Sequence, residues 1–322
     1  MNRSLLRKCV AEAQVLLLFC ALAVYAFCWL RVWLVSRFDM PRFRTILEQF
    51  REYERFSPVP FEQLFTHAGR IAMTFDEPIV VVCMAVWAIG RGSDCVSGEI
   101  GRGTMEMLLA QPVSRRQILC SQAAVTILGA AVLALAAWLG IYTGLCLHAV
   151  KTSAPASAWT VPWLGLELPN PLAAAEPESV PLQQIVDAAV FAPAALNLFA
   201  LGFFLAGLTT LLSACDRYRW RTIGLAAGFY VVEVLIKVLS VATDRLSGLS
   251  RLTVFSAYEP QRMVSWAVHQ PDQAWNVWLP GAAGRGLAWG PLGYDLILLG
   301  LGTAAYIAAG WVFQRRDLPA PL

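Results

Sequence analysis

Six runs of apolar residues alternate with polar segments along the chain. They lie near residues 10–35, 71–90, 118–150, 185–214, 222–242 and 294–313. A helix that crosses a bilayer needs roughly 20 mostly apolar residues, and each run is close to that length. The pattern predicts an all-α integral membrane protein with about six transmembrane helices, in which residues 1–322 form a single transmembrane domain.

The first run could instead be a cleaved signal peptide, because Arg3, Arg7 and Lys8 precede its apolar core. The core over residues 15–30 is long for a cleaved signal, however, and the apolar sequence continues past Arg31. We therefore expect an uncleaved first span.

Composition agrees with the membrane interpretation. The chain is 57% hydrophobic and only 15% charged, and its mean hydropathy is +0.56. Such values are typical of multi-pass membrane proteins and exclude a soluble domain.

The basic residues predict the topology, because short loops rich in Arg and Lys stay on the cytoplasmic side. Four basic clusters fall on one side if the number of spans is even. They are Arg3, Arg7 and Lys8; Arg91, Arg102, Arg115 and Arg116; Arg217, Arg219 and Arg221; and Arg315 with Arg316. Both termini are therefore predicted to be cytoplasmic. The net charge of +3 is explained by topology, and no nucleic-acid partner is expected.

Three longer segments are predicted on the outer side. Within residues 37–77, apolar residues recur at helical spacing over 42–56, which predicts an amphipathic helix on the membrane or over the bundle. Residues 151–181 are rich in Ala and Pro without periodicity, so an irregular loop is expected. Residues 244–290 hold four tryptophans, which suits short helices in the lipid headgroup layer or an aromatic surface that contacts substrate.

The sequence contains no motif for catalysis or metal binding, since HExxH, GxSxG and CxxC are all absent. The histidines, His67, His148 and His269, are widely spaced, so no metal site is expected. Of the eight cysteines only Cys146 approaches the predicted outer face, which argues against a disulfide framework.

A polar segment at residues 98–116 separates the second run from the third. Its glycines, which predict a tight turn at the membrane surface, are Gly98, Gly101 and Gly103. Thr104 is placed to cap a short helix, and Glu106 lies in the first turn, where a negative charge is favourable to the helix dipole.

That short helix has an apolar face and a defined end. Met105, Leu108 and Leu109 share one face, and Pro112 ends the helix. The following SRRQ sequence, residues 114–117, fits a capping box that begins the third span. The pattern predicts a stiff helix between two spans that presents an apolar and acidic face for docking into a groove on a partner protein.

The string GEIGRGTMEMLLAQPVSRRQIL, residues 98–119, closely resembles the segment between the second and third spans of permease subunits in the type-2 family of ATP-binding-cassette (ABC) exporters. The residues that match the family pattern in order are Glu99, Gly103, Thr104, Leu108, Leu109, Pro112, Val113, Ser114 and Arg115. The C-terminal FQRRDLPAPL is similar to the arginine-rich ending of many members, and the six-span layout extends the resemblance along most of the chain.

The resemblance implies a coupling helix that rests in a cleft of a cytoplasmic ABC ATPase subunit. It assigns to coupling Glu99, Arg102, Gly103, Thr104, Met105, Glu106, Leu108, Leu109, Pro112, Ser114 and Arg115. Glu99 would anchor the loop, the three apolar residues of the helix face would fill the cleft, and Arg102 and Arg115 would meet charges of the ATPase or of lipid. The alternative is that the glycines and prolines only form a turn and the arginines only fix topology.

ATP is expected to act through that separate subunit, because this chain lacks the GxxxxGK[ST] loop that cradles phosphates. The chain is therefore predicted to be a transporter permease without a catalytic site, to bind no cofactor, and to leave ATP and Mg to its partner. In the family the working unit resembles two permeases with two ATPases in a bacterial-type cytoplasmic (inner) membrane, and symmetry favours a homodimer.

Polar residues within the predicted spans are further candidates for function, because a buried charge is costly in lipid. Glu233 and Lys237 are four residues apart on one helix face, so they form either an ion pair or polar contacts along a translocation path or dimer seam. Asn197 is placed to hydrogen-bond across helices. Asp187 and Asp295, at span entrances, are expected at headgroup level.

The sequence favours an exporter permease driven by an ATPase in trans. Within the same family, the ATPase could instead power the assembly or release of a membrane partner. An intramembrane enzyme is the remaining class, and it lacks converging catalytic groups in this sequence.

Overall fold

A computed structural model describes residues 3–37, 66–152, 158–161, 166–169, 178–242, 248, 253–280 and 287–316. The α-helices in chain order are α1 (Arg3–Arg37), α2 (His67–Ala72), α3 (Pro78–Ser93), α4 (Glu99–Gly101), α5 (Thr104–Leu109), α6 (Arg115–Leu147), α7 (Leu182–Ile185), α8 (Ala192–Cys215), α9 (Arg219–Ala242), α10 (Pro260–His269) and α11 (Pro291–Arg315). Short 3-10 turns occupy Met73–Asp76, Ala188–Phe191, Val254–Ala257 and Pro271–Gln273, and Asp94–Gly98 is π-helical.

Six helical stretches of the described residues are long and apolar enough to cross a membrane. They are Arg3–Arg37, His67–Gly101, Arg115–Leu147, Ala188–Cys215, Arg219–Ser240 and Pro291–Arg315. The chain is therefore an all-α multi-pass membrane protein, as the hydrophobic pattern predicted.

The second span departs from the sequence prediction. It does not end near Gly90 but continues through the π-helical segment to Gly101. The π turn frees the backbone N–H groups of Val96 and Ser97, and both donate to the Ser213 hydroxyl of α8 at 3.1 and 2.9 Å. Because Ser213 of α8 accepts these two hydrogen bonds, the helix continues through a polar sequence that resembles a loop.

Helix α8 lies at the centre of the bundle and packs against α3, α6 and α11, while α1 packs along α6. Small residues permit these close approaches, as is common between membrane helices. A Cβ on Gly207 would lie 2.6 Å from the carbonyl oxygen of Gly302, and one on Gly140 would lie 2.5 Å from that of Tyr25. The backbones of the paired helices are therefore in near contact.

Helix α9 lies at the edge of the bundle and contacts α3 and α8. Much of its apolar surface is exposed in the isolated chain, including Trp220, Leu225, Val231, Leu235 and Val238. Helix α1 likewise exposes the residues Val15, Leu18, Phe19 and Leu22. These surfaces suit lipid or another apolar partner.

The segments predicted on the outer side contain more regular structure than the sequence indicated. Residues 151–181, predicted as an irregular loop, include strands of two antiparallel pairs: β1 (Ala149–Thr152) with β4 (Glu178–Pro181), and β2 (Ala158–Val161) with β3 (Leu166–Pro169). Strands of four residues are too short to give a detectable period of two, which explains the wrong prediction.

The segment between α9 and α11 contains the predicted short helices, α10 and its flanking 3-10 turns, together with a third antiparallel pair of β5 (Trp278–Pro280) and β6 (Leu287–Trp289). The exposed indoles of Trp278 and Trp289 stack on this pair with centroids 4.1 Å apart. The amphipathic helix predicted at residues 42–56 lies outside the described residues.

Candidate functional site

The segment between the second and third spans contains the predicted short helix, but its start differs from the prediction. Of the three glycines, Gly103 alone has a positive φ, 71°, and it occupies the N-cap of α5. Gly98 and Gly101 remain helical, so the predicted three-glycine turn reduces to Arg102 and Gly103. The turn thus forms where the second span ends, at the residue that tolerates a left-handed backbone.

The sequence predicted that Thr104 caps α5, but its side chain makes no capping hydrogen bond. Its hydroxyl donates to a carboxylate oxygen of Glu99, and at 3.2 Å to the Glu99 carbonyl. Thr104 therefore ties the first turn of α5 back to the end of the second span. The Thr104 hydroxyl is available for this contact because Gly103, not Thr104, occupies the N-cap position.

Glu99 is fully buried, and several elements supply its partners. Lys8 of α1 donates to both of its carboxylate oxygens, at 3.0 and 3.1 Å. Arg102 and Gln122 approach Oε1 at 3.5 Å each. A buried carboxylate is tolerated when it is paired and hydrogen-bonded in this way. Glu99 therefore joins α1, α4, α5 and α6 at one point.

Asp94 forms a second buried cluster one turn away. Its Oδ1 accepts from Arg102 at 2.6 Å and lies 3.4 Å from a guanidinium nitrogen of Arg219 in α9, while its Oδ2 lies 3.5 Å from Arg91. Although burial alone would lower the pKa of Arg102, the hydrogen bond and the negative charge of Asp94 raise it above its ordinary value. Arg102 therefore stays protonated and bridges the Asp94 and Glu99 clusters.

Arg91 and Gln122 complete the network. Arg91 was predicted to lie in a cytoplasmic loop, but it is buried within α3 and donates to Gln122 Oε1 at 2.7 Å. Gln122 in turn directs its amide nitrogen toward Glu99. The two carboxylates are thus connected through side chains of the second and third spans.

The exposed face of α5 is not the face that the sequence predicted. Met105 is only 2% exposed and packs in an inner apolar cluster with Cys95, Leu119 and Phe313. Leu108 and Leu109 are partly buried against the core. The side chains turned away from the protein belong to Glu106 and Met107, and Met107 is 65% exposed. Met105 was assigned to the wrong face because periodicity does not show which side of a short helix meets its own bundle.

The start of the third span agrees with the prediction. Ser114 accepts from the Gln117 backbone N–H, and the Gln117 side chain accepts from the Ser114 backbone N–H, which forms the predicted capping box. Pro112 follows the end of α5 at Leu109. These signals are local, so the sequence was sufficient to place them.

Arg115 binds its own chain rather than projecting outward. It donates to the carbonyl oxygens of Phe313 at 3.0 Å and Arg316 at 2.6 Å, at the end of α11. Arg316 in turn donates to the carbonyls of Ala214 and Asp216 at the C-terminal end of α8. The arginines therefore satisfy carbonyl groups at helix C-termini, which corrects the expectation that Arg115 meets external charges.

The polar residues at the end of the bundle opposite α5 have partners that spacing did not predict. Glu233 and Lys237 lie in the described part of α9 and form no ion pair with each other. Glu233 accepts from Thr253 and from the Val254 backbone, and Lys237 donates to the Tyr258 carbonyl at 2.8 Å. The two side chains fasten α9 to the segment that precedes α10.

Asn197 hydrogen-bonds across helices, as predicted. Its amide nitrogen donates to Asp295 Oδ1 of α11 at 2.7 Å and to the Ala257 carbonyl at 3.0 Å. Asp295 was expected at headgroup level, but it is 1% exposed. Its hydrogen bond with Asn197 explains how a carboxyl group is accommodated inside the bundle.

Five members of the network around Glu99 and Asp94 were not predicted as site residues: Lys8, Arg91, Asp94, Gln122 and Arg219. Lys8 and Arg219 were interpreted only as topology signals. The Arg91 and Asp94 pair, three residues apart directly after an apolar run, was the available sign that the helix continues. Among the described residues, no three His, Cys, Asp or Glu side chains are grouped to hold a metal ion.

Comparison with known proteins identifies a family. The family described as ABC-2 family transporter protein matches this chain over residues 51–318, which is more than half of its length. No curated protein matches the chain.

Proposed function

Since the chain belongs to the ABC-2 transporter family and is a membrane permease component, we propose that it is the permease subunit of an ABC exporter. It moves its substrate across or out of the cytoplasmic membrane with energy from ATP that a separate ATPase subunit hydrolyses with Mg. The family match covers most of the chain, and the inner end of the bundle offers a suitable place for the ATPase to dock.

The observation that carries the proposal is the construction of α5. This six-residue helix connects two spans, exposes Glu106 and Met107, and buries Met105 in the bundle behind it. A short exposed helix on a fixed base suits docking into a groove of a partner protein. Met107 supplies an adaptable apolar contact and Glu106 an adjacent charge.

The Glu99 cluster would transmit a displacement of α5 to the spans. Thr104 links α5 to Glu99, which in turn binds Lys8 of α1 and is contacted by Gln122 of α6. Arg102 extends the connection through Asp94 to Arg219 of α9. Closure of the ATPases would therefore move three spans together instead of bending one loop.

Two permease copies would complete the transporter. The exposed apolar surface of α1, which includes Val15, Leu18, Phe19 and Leu22, flanks the Glu99 cluster, and pairing of two copies through this surface would place two α5 helices above two ATPases. In this arrangement both termini and α5 lie on the cytoplasmic side, where their arginines favour retention.

The docking proposal is tested with Met107→Asp, because Met107 is exposed, so we expect its replacement to leave the packing of the bundle unchanged. A charge in an apolar groove should weaken the complex with the cognate ATPase about tenfold or more, as for other central contacts. The affinity of the permease for the ATPase is measured by co-purification and by titrating the ATPase onto permease in nanodiscs immobilised on a biosensor surface.

Met107→Leu is the matched control and should bind like the wild type. A second control, Arg221→Gln, removes an exposed charge that pairs with Asp216 away from α5. If the Met107→Asp permease is inserted and folded yet binds the ATPase with unchanged affinity, α5 is not the docking element.

A further inference from the structure

Two clefts lie side by side at the inner end of α9, and arginines dominate both. The first, about 390 Å³, lies between α1, α3 and α9 and is lined by Glu12, Arg91, Asp94, Arg102 and Arg219 among others. The second, about 490 Å³, is lined by Gly101, Arg102, Arg217, Tyr218, Arg219 and Trp220. Arg102 and Arg219 belong to both, so the clefts form one continuous basic surface, which we call the arginine cleft.

Positive charge exceeds negative charge in this region. Five cationic side chains, Lys8, Arg91, Arg102, Arg217 and Arg219, face the three carboxylates Glu12, Asp94 and Glu99. Each carboxylate is engaged by at least one of these cations, which leaves two positive charges uncompensated. The region therefore attracts an anion.

Unused hydrogen-bond donors point to the same chemistry. Each guanidinium carries five N–H donors. The Arg217 guanidinium makes no hydrogen bond or ion pair within the described part of the chain, and Arg219 makes only contacts of 3.4 Å to Asp94 and 3.5 Å to the Gly90 carbonyl. The buried Nε of Arg91 has no acceptor among the described residues. Forked guanidinium donors of this kind match the oxygens of a phosphate group.

The surroundings identify the source of the phosphate. Trp220 and Tyr218 are 73% and 51% exposed at the rim, as is typical of aromatic residues at the level of lipid headgroups. Leu16 of α1 lines the first cleft and Ile223 of α9 lines the second. Both residues border apolar surfaces of their spans, and these surfaces suit acyl chains. A soluble anion would make no use of these apolar walls.

We propose that the arginine cleft binds the phosphate group of an anionic membrane lipid from the leaflet that faces α5. Arg217 and Arg219 hold the phosphate oxygens, Trp220 lies at the headgroup boundary, and the acyl chains extend along α9. The site is distinct from the exposed face of α5. Its position in the cytoplasmic leaflet rests on the orientation proposed above, whereas lipid binding itself does not depend on the ATPase.

The test measures lipid binding to the purified full chain without ATPase. Phosphatidic acid, phosphatidylglycerol, phosphatidylcholine and diacylglycerol are titrated separately in a neutral detergent and detected by native mass spectrometry. The two anionic lipids should bind at least tenfold more tightly than diacylglycerol. The Arg217→Gln, Arg219→Gln double variant should lose about tenfold in affinity for both, since charge-assisted hydrogen bonds have about that effect.

Arg221→Gln is the matched control, because Arg221 has the same charge, lies on the same helix as Arg219, pairs with Asp216 and lines neither cleft. It should bind lipid like the wild type. The Arg217→Lys, Arg219→Lys variant keeps the charge but not the fork, so it should bind with intermediate affinity. Thermal unfolding of each variant shows that it is folded.

Three results would overturn the proposal. Equal binding of anionic lipids and diacylglycerol would show that headgroup charge is not recognised. Displacement of the lipid by millimolar inorganic phosphate would identify a soluble anion as the ligand. Wild-type lipid affinity in the double variant, together with a loss of ATPase binding, would assign the arginine cleft to an acidic segment of the ATPase.

Discussion

Glu99 shows at the residue scale how one buried charge can organise the inner end of a helical bundle. A carboxylate removed from water is stable only with close partners, and Glu99 has partners on α1, α5 and α6. Because these partners come from separate elements, they orient α5 relative to the spans. Asp94 has the same effect toward α9 through Arg219.

Replacing Glu99 with Ala should destabilise the folded permease by about 2–3 kcal/mol, because Lys8 and Arg102 would lose a buried partner. The cost lies toward the lower end because Lys8 retains Glu12 at 3.5 Å. Glu106→Ala removes an exposed carboxylate seven residues later and should cost less than about 1 kcal/mol. Thermal unfolding in detergent measures both, and equal shifts for the two variants would contradict the buried network.

At the scale of elements, close helix packing depends on glycines that provide room for a neighbour. Gly140 of α6 faces α1, where an added Cβ would lie 2.5 Å from the Tyr25 carbonyl oxygen and 2.9 Å from Cys28 Cβ. Gly300 of α11 has no atom within 4 Å of such a Cβ among the described residues. The two glycines therefore have different roles within similar apolar helices.

Gly140→Ala should separate α1 from α6 and cost about 1–3 kcal/mol, which is typical of overpacking. Gly300→Ala should be neutral or slightly stabilising, because alanine favours a helix and meets no neighbour. Unfolding midpoints of the two variants, measured in the same detergent, distinguish packing from propensity. A similar loss in both would show that helix propensity, not contact with α1, decides the outcome.

At the scale of the whole molecule, buried polar contacts hold together the end of the bundle opposite α5. Asn197 joins α8 to Asp295 of α11 and to the segment before α10, where it also accepts from the Glu259 backbone at 3.1 Å. Glu233 and Lys237 attach α9 to the same segment. The fold is thus stabilised by charge clusters at the end that carries α5 and, at the opposite end, by hydrogen bonds to the segment before α10.

Asn197→Leu should destabilise the fold by about 2–3 kcal/mol, because Asp295 and the Glu259 N–H would be left buried without their partner. Adding Asp295→Leu to this variant should recover part of the loss, since replacing both partners by apolar groups removes an unsatisfied acceptor. A double-mutant cycle of unfolding free energies tests the coupling, and strictly additive losses would exclude it.

The sequence by itself determined the number and order of the spans, the short helix between the second and third, and the capping box at Ser114. Each of these depends on local properties: the length of an apolar run, a glycine that permits a positive φ, or a side chain three residues from its partner.

Tertiary structure alone decided where the second span ends, which face of α5 is buried, and which charges pair. Lys8 meets Glu99 across 91 residues of sequence, and Ser213 meets Ser97 across 116. The energy of a buried charge or an unpaired N–H is determined by such distant neighbours. The spacing of Arg91 and Asp94 could indicate that the helix continues, but not that residues 91–99 are buried inside the bundle.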